Sequence, residues 1–271
     1  MTKMLMVKEI TWNFKMNSFA ELNLKYFWTQ QEDLPSGIGF PLFGVKHIFA
    51  LIVCIMGITA LCHYARRCSY NKQNKILQTI ALLMVVLEGL KDSYLTLIGR
   101  MGVGYLPLHL CSISIFVFLL YSFLPKTWFS DYLGEVGLVL LMPGAVTALV
   151  FPDWTMYPIV NYMSLHSFVW HSLIIAYPLI LNMTGRIHPR FKHIWYPVSF
   201  LCVVVPLIFL FDIKTRTNYF FINVPLNGTP LEWMYEEFGA YWRVAYAVTI
   251  LAVIVLVYLI LECIHKLKIR Q

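Results

Sequence analysis

Residues 241–263 of the chain read YWRVAYAVTILAVIVLVYLILEC, and this stretch decides the class of fold. A helix that crosses a membrane needs about 20 mostly apolar residues, and this segment supplies them with charged residues only near its ends. The whole chain agrees, because 59% of its 271 residues are hydrophobic and 13% are charged. A soluble domain carries roughly 25% charged residues. The composition therefore indicates a polytopic membrane protein and excludes a disordered chain, a nucleic-acid-binding domain and a disulfide-stapled secreted module.

The same length rule selects further apolar segments, and together they predict an all-α bundle of seven transmembrane helices. The predicted spans are residues 46–64, 75–98, 106–124, 133–151, 158–182, 193–212 and 241–263. The second span is the least apolar, because Glu88, Lys91 and Asp92 interrupt it.

The ends of the chain differ from this membrane domain, which we assign to residues 46–263. We expect residues 1–45 to form an N-terminal interfacial segment with an amphipathic helix at residues 14–28. Residues 264–271 form a basic tail. Six cysteines show no regular spacing, so we interpret most of them as free thiols.

The orientation of the bundle follows from its Lys and Arg residues. They concentrate in the connections after the first, third and fifth predicted helices and in the tail. Short basic connections stay in the cytoplasm, so we expect the N-terminus outside and the C-terminus in the cytoplasm of a cell-membrane protein. The net charge of +7 is explained by this pattern rather than by binding of nucleic acid.

Polar residues from five of the predicted helices fall at one depth in this orientation, near the outer face. They are His47, Glu88, His109, Cys111, Asp153, His166 and His171. Ionisable groups inside a membrane are costly, so each is a candidate for function. Because the cytoplasmic halves carry few such groups, we expect one polar pocket beneath the outer face.

Structural interpretations stand beside the functional ones for several of these residues. Glu88 could pair with Lys91 on the same helix face. His47 could contact lipid headgroups at the interface, and Asp153 could be a turn residue after Pro152. A buried histidine commonly bonds a backbone carbonyl, which is the plain alternative for His171.

The stretch LPLHLC at residues 106–111 is the most specific candidate for chemistry. Pro107 suits the first turn of a helix, which places His109 and Cys111 beside free backbone donors and the positive end of the helix dipole. Such a setting can activate a thiol and stabilise an oxyanion. His166 and His171 point about 140° apart on a helix, and we prefer the deeper His171 as the partner.

The fourth span suggests an internal pocket. Gly134 and Gly137 permit close helix packing, and Met-Pro-Gly at residues 142–144 is predicted to break the helix midway. Broken backbone at membrane depth is tolerated where it lines a cavity enclosed by protein.

Five stretches then give a family resemblance: GFPLFGVKH (39–47), LPLHLCSISIF (106–116), PGAVTALVFPD (143–153), the His at 171 before SLII, and TNYFF (217–221). They resemble the YwaF-like family of bacterial integral membrane proteins over roughly residues 26–262. That family is similar to the transmembrane protein 164 acyltransferases, which move fatty acyl chains between phospholipids. The resemblance implies an acyl-accepting Cys111 and a histidine partner at His171, with Asn218 of the TNYFF stretch as a supporting residue. Ser112 follows Cys111 here, where the eukaryotic acyltransferase has a histidine.

Three functions follow as hypotheses, and membrane lipids are the expected partners. The first is phospholipid acyl transfer or acyl-ester hydrolysis by Cys111, His171 and His109, without a cofactor or metal. The second is a zinc-dependent lipid hydrolase that uses the histidines with Glu88 and Asp153, although no HExxH spacing supports it. The third is a proton-coupled transporter or sensor.

Overall fold

The computed structural model describes residues 24–269, and this part of the chain consists of helices and connecting turns without β-strands. The helices are α1 Val45–Arg66, α2 Tyr70–Leu97, α3 Leu110–Phe123, α4 Trp128–Val150, α5 Tyr162–Met183, α6 Trp195–Thr215, α7 Pro230–Phe238 and α8 Trp242–Ile269. One helical turn, Gly239–Tyr241, joins α7 to α8. The described residues therefore form seven helical segments, which confirms the predicted all-α class.

Five of these segments are long and apolar enough to cross a membrane within the described range. They are Val45–Arg66, Trp128–Val150, Tyr162–Met183, Phe191–Thr215 and Pro230–Ile264. The prediction of seven spans is thus supported for five only. α3 has 14 residues, which is shorter than the bilayer rule requires. α2 has length enough, but its charged residues lower its hydropathy.

The two ends of the described chain differ from the sequence prediction. Residues 14–23 of the predicted amphipathic helix lie outside the described range, and residues 24–28 contain only the short turn Leu24–Tyr26. At the other end, α8 continues to Ile269, so the basic segment begins as helix.

The surface of several helices is apolar, as a lipid environment requires. In the apolar 18-residue stretch of α1, only 11% of the residues are buried within the protein, compared with 61% in that of α4. Exposed side chains such as Val53 on α1, Leu207 on α6 and Val248 on α8 account for this surface. Because water would not solvate so many exposed aliphatic side chains, these faces are suited to acyl chains.

The described chain divides into two compact units, and the smaller one comprises residues 24–53 and 154–169. Its N-terminal segment is held by the Asn161 side-chain amide, which donates to the carbonyls of Tyr26 at 2.7 Å and Thr29 at 2.9 Å. The Phe40 N–H donates to the Thr155 carbonyl at 2.9 Å. Gly39 is needed there because a Cβ at this position would collide with the Thr155 backbone.

The larger unit comprises residues 54–153 and 170–269. In its core, the ring of Phe118 on α3 stacks on Tyr177 of α5 with centroids 4.0 Å apart. The Tyr177 hydroxyl lies 2.7 Å from the Ser122 hydroxyl and donates to the Phe118 carbonyl at 3.1 Å. These contacts fix α5 against α3.

Helix α4 packs closely, as its glycines predict. A Cβ built on Gly134 would lie 2.5 Å from the Ile187 side chain, and one built on Gly137 would lie 3.3 Å from Phe118. The predicted break at Met-Pro-Gly is wrong, because the helix is continuous through residues 142–144. A buried π-helical segment, Gly137–Leu141, precedes Pro143 and accommodates the residue that cannot donate a backbone hydrogen bond.

Candidate functional site

Cys111 occupies the first turn of α3, as the LPLHLC pattern predicts. The N–H groups of a first turn have no acceptor within the helix, and the side chain of the N-cap residue His109 does not cap them. The thiol interacts with the side chain of the next residue, Ser112. A thiol and the backbone N–H groups of the first turn are therefore adjacent.

His109 is enclosed by aromatic rings from a distant part of the sequence. Its ring centroid lies 4.7 Å from that of Tyr219 in an edge-on arrangement and 5.2 Å from that of Phe221. Both rings belong to the TNYFF stretch. The two motifs that carried the family resemblance, LPLHLC and TNYFF, thus meet at His109.

The backbone of this aromatic stretch is strained. Phe220 has φ 56° and Phe221 has φ 52°, values in the left-handed region where bulky residues are uncommon. Each such residue costs on the order of 1–3 kcal/mol, and such strain gathers at functional sites. The strain is tolerated because the buried Phe220 packs with Tyr219 and Ile208 in a hydrophobic cluster.

Asp212, near the end of α6, anchors the stretch. Its Oδ1 accepts hydrogen bonds from the Thr217 hydroxyl at 2.6 Å and from the Tyr219 N–H at 3.0 Å. The sequence analysis missed this residue. The available signal was an isolated carboxylate at the end of an apolar span, five residues before the TNYFF stretch.

Tyr219 connects the anchored stretch to the segment before α3. Its hydroxyl donates to the Val103 carbonyl at 2.5 Å. Burial raises the pKa of Tyr219 to about 12, so the hydroxyl stays protonated and available as a donor at neutral pH.

Asn218 shapes the loop that follows. Its side-chain oxygen accepts from the N–H groups of Asn223 and Val224, each at 3.1 Å, and its amide donates to the Val224 carbonyl at 2.9 Å. These bonds give Asn218 a structural part in the TNYFF loop. A direct contact with substrate stays a prediction.

Glu88 pairs with Lys91, which confirms the structural interpretation of this carboxylate. The ammonium lies 2.7 Å from the Glu88 carboxylate and also donates to the Tyr105 carbonyl at 3.4 Å. Asp92 lies 3.4 Å from the same ammonium. The network neutralises charge within α2 and ties this helix to the segment leading into α3.

The larger unit brings several of the predicted residues together. Asp153, Glu88 and Lys91 all lie within electrostatic range of the Cys111 thiol, and Lys91 also acts on His109. Asp153 itself is exposed at the end of the segment that follows α4. This region of Cys111, His109 and their surrounding charges is the candidate site.

His47 belongs to the smaller unit and is completely buried there. Its Nδ1 accepts the Phe43 N–H at 3.1 Å, and the rings of Phe40 and Phe168 lie near it. The interpretation of His47 as a headgroup contact is therefore wrong. His166 lies in the same unit, half-buried beside Tyr162, with ring centroids 6.1 Å apart.

His171 lies on α5 within the larger unit, and it is 5% exposed. Its partnership with Cys111 stays a prediction. For the zinc alternative, residues 24–269 contain no group of three or more His, Cys, Asp or Glu side chains placed to hold a metal ion.

A second polar cluster lies at helix ends that the sequence analysis assigned to the cytoplasmic side, where few polar groups were expected. The His193 Nδ1 lies 2.6 Å from the carboxylate of Glu135, which is 1% exposed. The Tyr258 hydroxyl donates to the same carboxylate at 3.0 Å and to the His193 carbonyl at 3.1 Å. This network joins α4, the segment before α6, and α8. Sequence reasoning overlooked Glu135 because it stands between glycines near the predicted start of a span.

Helices make up the regular structure of residues 24–269, and several of them are apolar and of membrane-spanning length, which defines a polytopic membrane protein. The profile of one family, described as the TMEM164 family, matches residues 42–261, and the chain therefore belongs to the TMEM164 family. The match includes both the LPLHLC and the TNYFF stretches. Neither a search of curated proteins nor a search of solved structures found a match.

Proposed function

We propose that the protein catalyses acyl transfer between membrane lipids, or hydrolysis of a lipid acyl ester, with Cys111 as the nucleophile. The observation that carries this proposal is the N-terminus of α3, where a thiol, free backbone donors and an enclosed imidazole occupy consecutive positions. The aromatic rings around His109 belong to a stretch with a strained backbone, and this supports a site in which the position of the imidazole is fixed. The resemblance of the LPLHLC and TNYFF stretches to acyltransferases that act on phospholipids supports a lipid substrate.

The reaction would proceed in two steps. Cys111 loses its proton to His171, and the thiolate attacks the ester carbonyl of a phospholipid. Collapse of the tetrahedral intermediate forms a thioester and releases the lysolipid alkoxide, which takes the proton from His171. The hydroxyl of a second lipid, or water, then attacks the thioester, transfers its proton through His171, and restores the thiol.

The backbone donors of α3 and the His109 N–H would stabilise the oxyanion of each tetrahedral intermediate. Such donors act strongly where water is excluded, because they need no reorganisation as charge develops. Removing one donor of this kind costs about 10²–10³-fold in rate in other enzymes.

The packing of α4 supports His171 as the base. A Cβ built on Gly137 would lie 3.7 Å from Pro178 of α5, and one built on Gly144 would lie 3.6 Å from Leu110 at the start of α3. Consecutive spans run in opposite directions. His171, two helical turns before Pro178, therefore comes to the level of Gly144 and of the first turn of α3.

The proposal predicts that Cys111→Ala abolishes catalysis without unfolding the protein. The variant would be reconstituted in vesicles that contain a phospholipid with a labelled acyl chain and an unlabelled lysolipid acceptor. We expect acyl exchange to fall by at least about 10³-fold, because no other group in the site can form the thioester. The free lipid-facing cysteine Cys202 offers a matched control, and Cys202→Ala should exchange at the wild-type rate.

Two measurements complete the experiment. Mass spectrometry of the wild-type protein during turnover should find the labelled acyl chain on Cys111 and not on Cys202 or Cys263. Undiminished exchange by Cys111→Ala would remove the nucleophile from the mechanism.

A second candidate function is a proton-coupled transporter or sensor, and the Glu135–His193–Tyr258 network favours it. A buried carboxylate bonded to an imidazole is a common element of proton pathways in membranes. It supplies the titratable group that the cytoplasmic side lacked in the sequence analysis.

A proton-coupled transporter predicts that uptake of its substrate into proteoliposomes responds to a pH gradient. Proteoliposomes with an acidic exterior should accumulate a lipid-derived or other small substrate, and Glu135→Gln should abolish the response by removing the proton acceptor. Acyl exchange that is insensitive to protonophores and to Glu135→Gln would favour the thiol enzyme instead.

A further inference from the structure

Asp212 is a buried carboxylate that the proposed reaction leaves without a task. It is 1% exposed, and its Oδ1 receives both hydrogen bonds from the TNYFF stretch. Its Oδ2 is buried and accepts no hydrogen bond. A buried acceptor without a donor is costly, and a neutral amide would anchor the stretch through its oxygen without burying a charge if anchoring were the only task.

The charge of Asp212 acts electrostatically on His109. Among the described residues, two charged groups act on this imidazole, Asp212 and Lys91. Lys91 is neutralised by Glu88 at 2.7 Å, whereas no described cation pairs with Asp212. The carboxylate of Asp212 therefore supplies the net charge that acts on the His109 imidazole.

Asp212 and His109 both lie beside the same hydrophobic cluster. Leu108 and Leu110, which flank His109, pack against the cluster of Ile208, Tyr219 and Phe220. Ile208 lies one helical turn before Asp212 on α6, and Tyr219 contacts both partners, Asp212 by its N–H and His109 by its ring. The carboxylate and the imidazole are thus fixed through a shared neighbour.

We propose that Asp212 is a positioning residue for His109, which fixes the aromatic enclosure with one oxygen and stabilises the protonated imidazole with the negative charge on the other. This inference rests on the proposed function, since a protonated His109 is the form that donates to the oxyanion most strongly. Asp212 does not touch the substrate. Its charge raises the protonated fraction of His109 against the effect of burial, which favours the neutral ring.

The test substitutes Asp212 by Asn, which retains an acceptor for Thr217 and Tyr219 and removes only the charge. NMR of protein labelled at histidine, in lipid nanodiscs, would follow the protonation of His109 directly, and His109→Asn would assign its signal. We expect the midpoint of His109 protonation to fall by about 0.5 pH unit or more in Asp212→Asn, because the nearby negative charge is lost. The acidic limb of the acyl-exchange profile should move in the same direction.

Two further variants separate charge from anchoring. Asp212→Glu keeps the charge and should hold the midpoint near the wild-type value. Thr217→Val removes one anchoring hydrogen bond and should leave the midpoint within about 0.2 pH unit while it lowers the melting temperature. An unchanged midpoint in Asp212→Asn would overturn the proposal.

The NMR arm does not depend on catalysis. If Cys111→Ala retains acyl exchange, the proposed function fails, yet the His109 titration still decides the link to Asp212. If Asp212→Asn does not fold, the comparison of Asp212→Glu with Thr217→Val takes its place. A fall of the His109 midpoint by about 0.5 pH unit or more in Thr217→Val, which keeps the charge of Asp212, would overturn the proposal, because anchoring alone would then explain it.

Discussion

Tyr219 joins the parts of the candidate site at the scale of one residue. Its N–H is bonded to Asp212, its ring lies on His109 and its hydroxyl donates to the Val103 carbonyl. Loss of any one of these interactions should loosen the other two. The residue is therefore a suitable probe of how the site depends on pH.

The raised pKa of Tyr219, about 12, predicts an alkaline loss of stability. The folded protein holds this proton more tightly than the unfolded chain, whose tyrosines titrate near pH 10. The stabilisation is therefore complete below about pH 10 and is lost as the pH rises towards 12. Melting temperatures of the wild type and Tyr219→Phe, measured from pH 7 to 12, would check this. The difference between the two proteins should shrink at high pH, and a constant difference would contradict the prediction.

Single residues were predictable where the local sequence fixed their setting. Pro107 signals that α3 begins nearby, and Cys111 lies in the first turn as expected, but the helix begins at Leu110, so Pro107 and His109 precede it. Asp212 was not predictable, because a carboxylate at the end of an apolar span is equally typical of a helix end at the interface. The role of Asp212 depends on hydrogen bonds from Thr217 and Tyr219 in the loop after α6, and no spacing in the sequence reveals these contacts.

At the scale of elements, the close packing of α4 gives a clear prediction. Gly134→Ala should destabilise the protein by about 1–3 kcal/mol, because the added Cβ would overpack against Ile187 and Tyr121. Gly89→Ala on α2 is the matched control, since nothing lies within 4 Å of a Cβ there. That variant should be neutral or more stable, by up to about 1 kcal/mol. Thermal or denaturant unfolding in detergent measures both, and equal effects would refute the packing argument.

Hydropathy predicted the positions of the helices but not their internal geometry. The length rule found every long helical segment, because apolar runs of this size have no other stable structure in a bilayer. The π-helical segment of α4 escaped prediction. A proline within a span is compatible with a break, a kink or a π-bulge, and only the packing of the neighbouring helices selects among them.

For the whole molecule, the distribution of Lys and Arg predicts its orientation. A green fluorescent protein fused to the C-terminus should fluoresce, because that end is expected in the cytoplasm. Alkaline phosphatase fused to the N-terminus should be active on the opposite side of the membrane. Replacing Arg66, Arg67 and Lys72 by Gln should weaken this preference, whereas the reverse pattern of reporter activity would invert the proposed depth of Cys111.

The charged network of α2 has a consequence for how the chain enters the bilayer during synthesis. Glu88, Lys91 and Asp92 make this helix a poor substrate for the translocon when it arrives alone. In the folded protein, the Lys91 ammonium of α2 donates to the Tyr105 carbonyl. The side-chain amide of Gln78, also on α2, donates to the Ser122 carbonyl of α3 at 3.4 Å. We therefore expect α2 to partition into lipid only together with α3, so that the two leave the translocon as a hairpin.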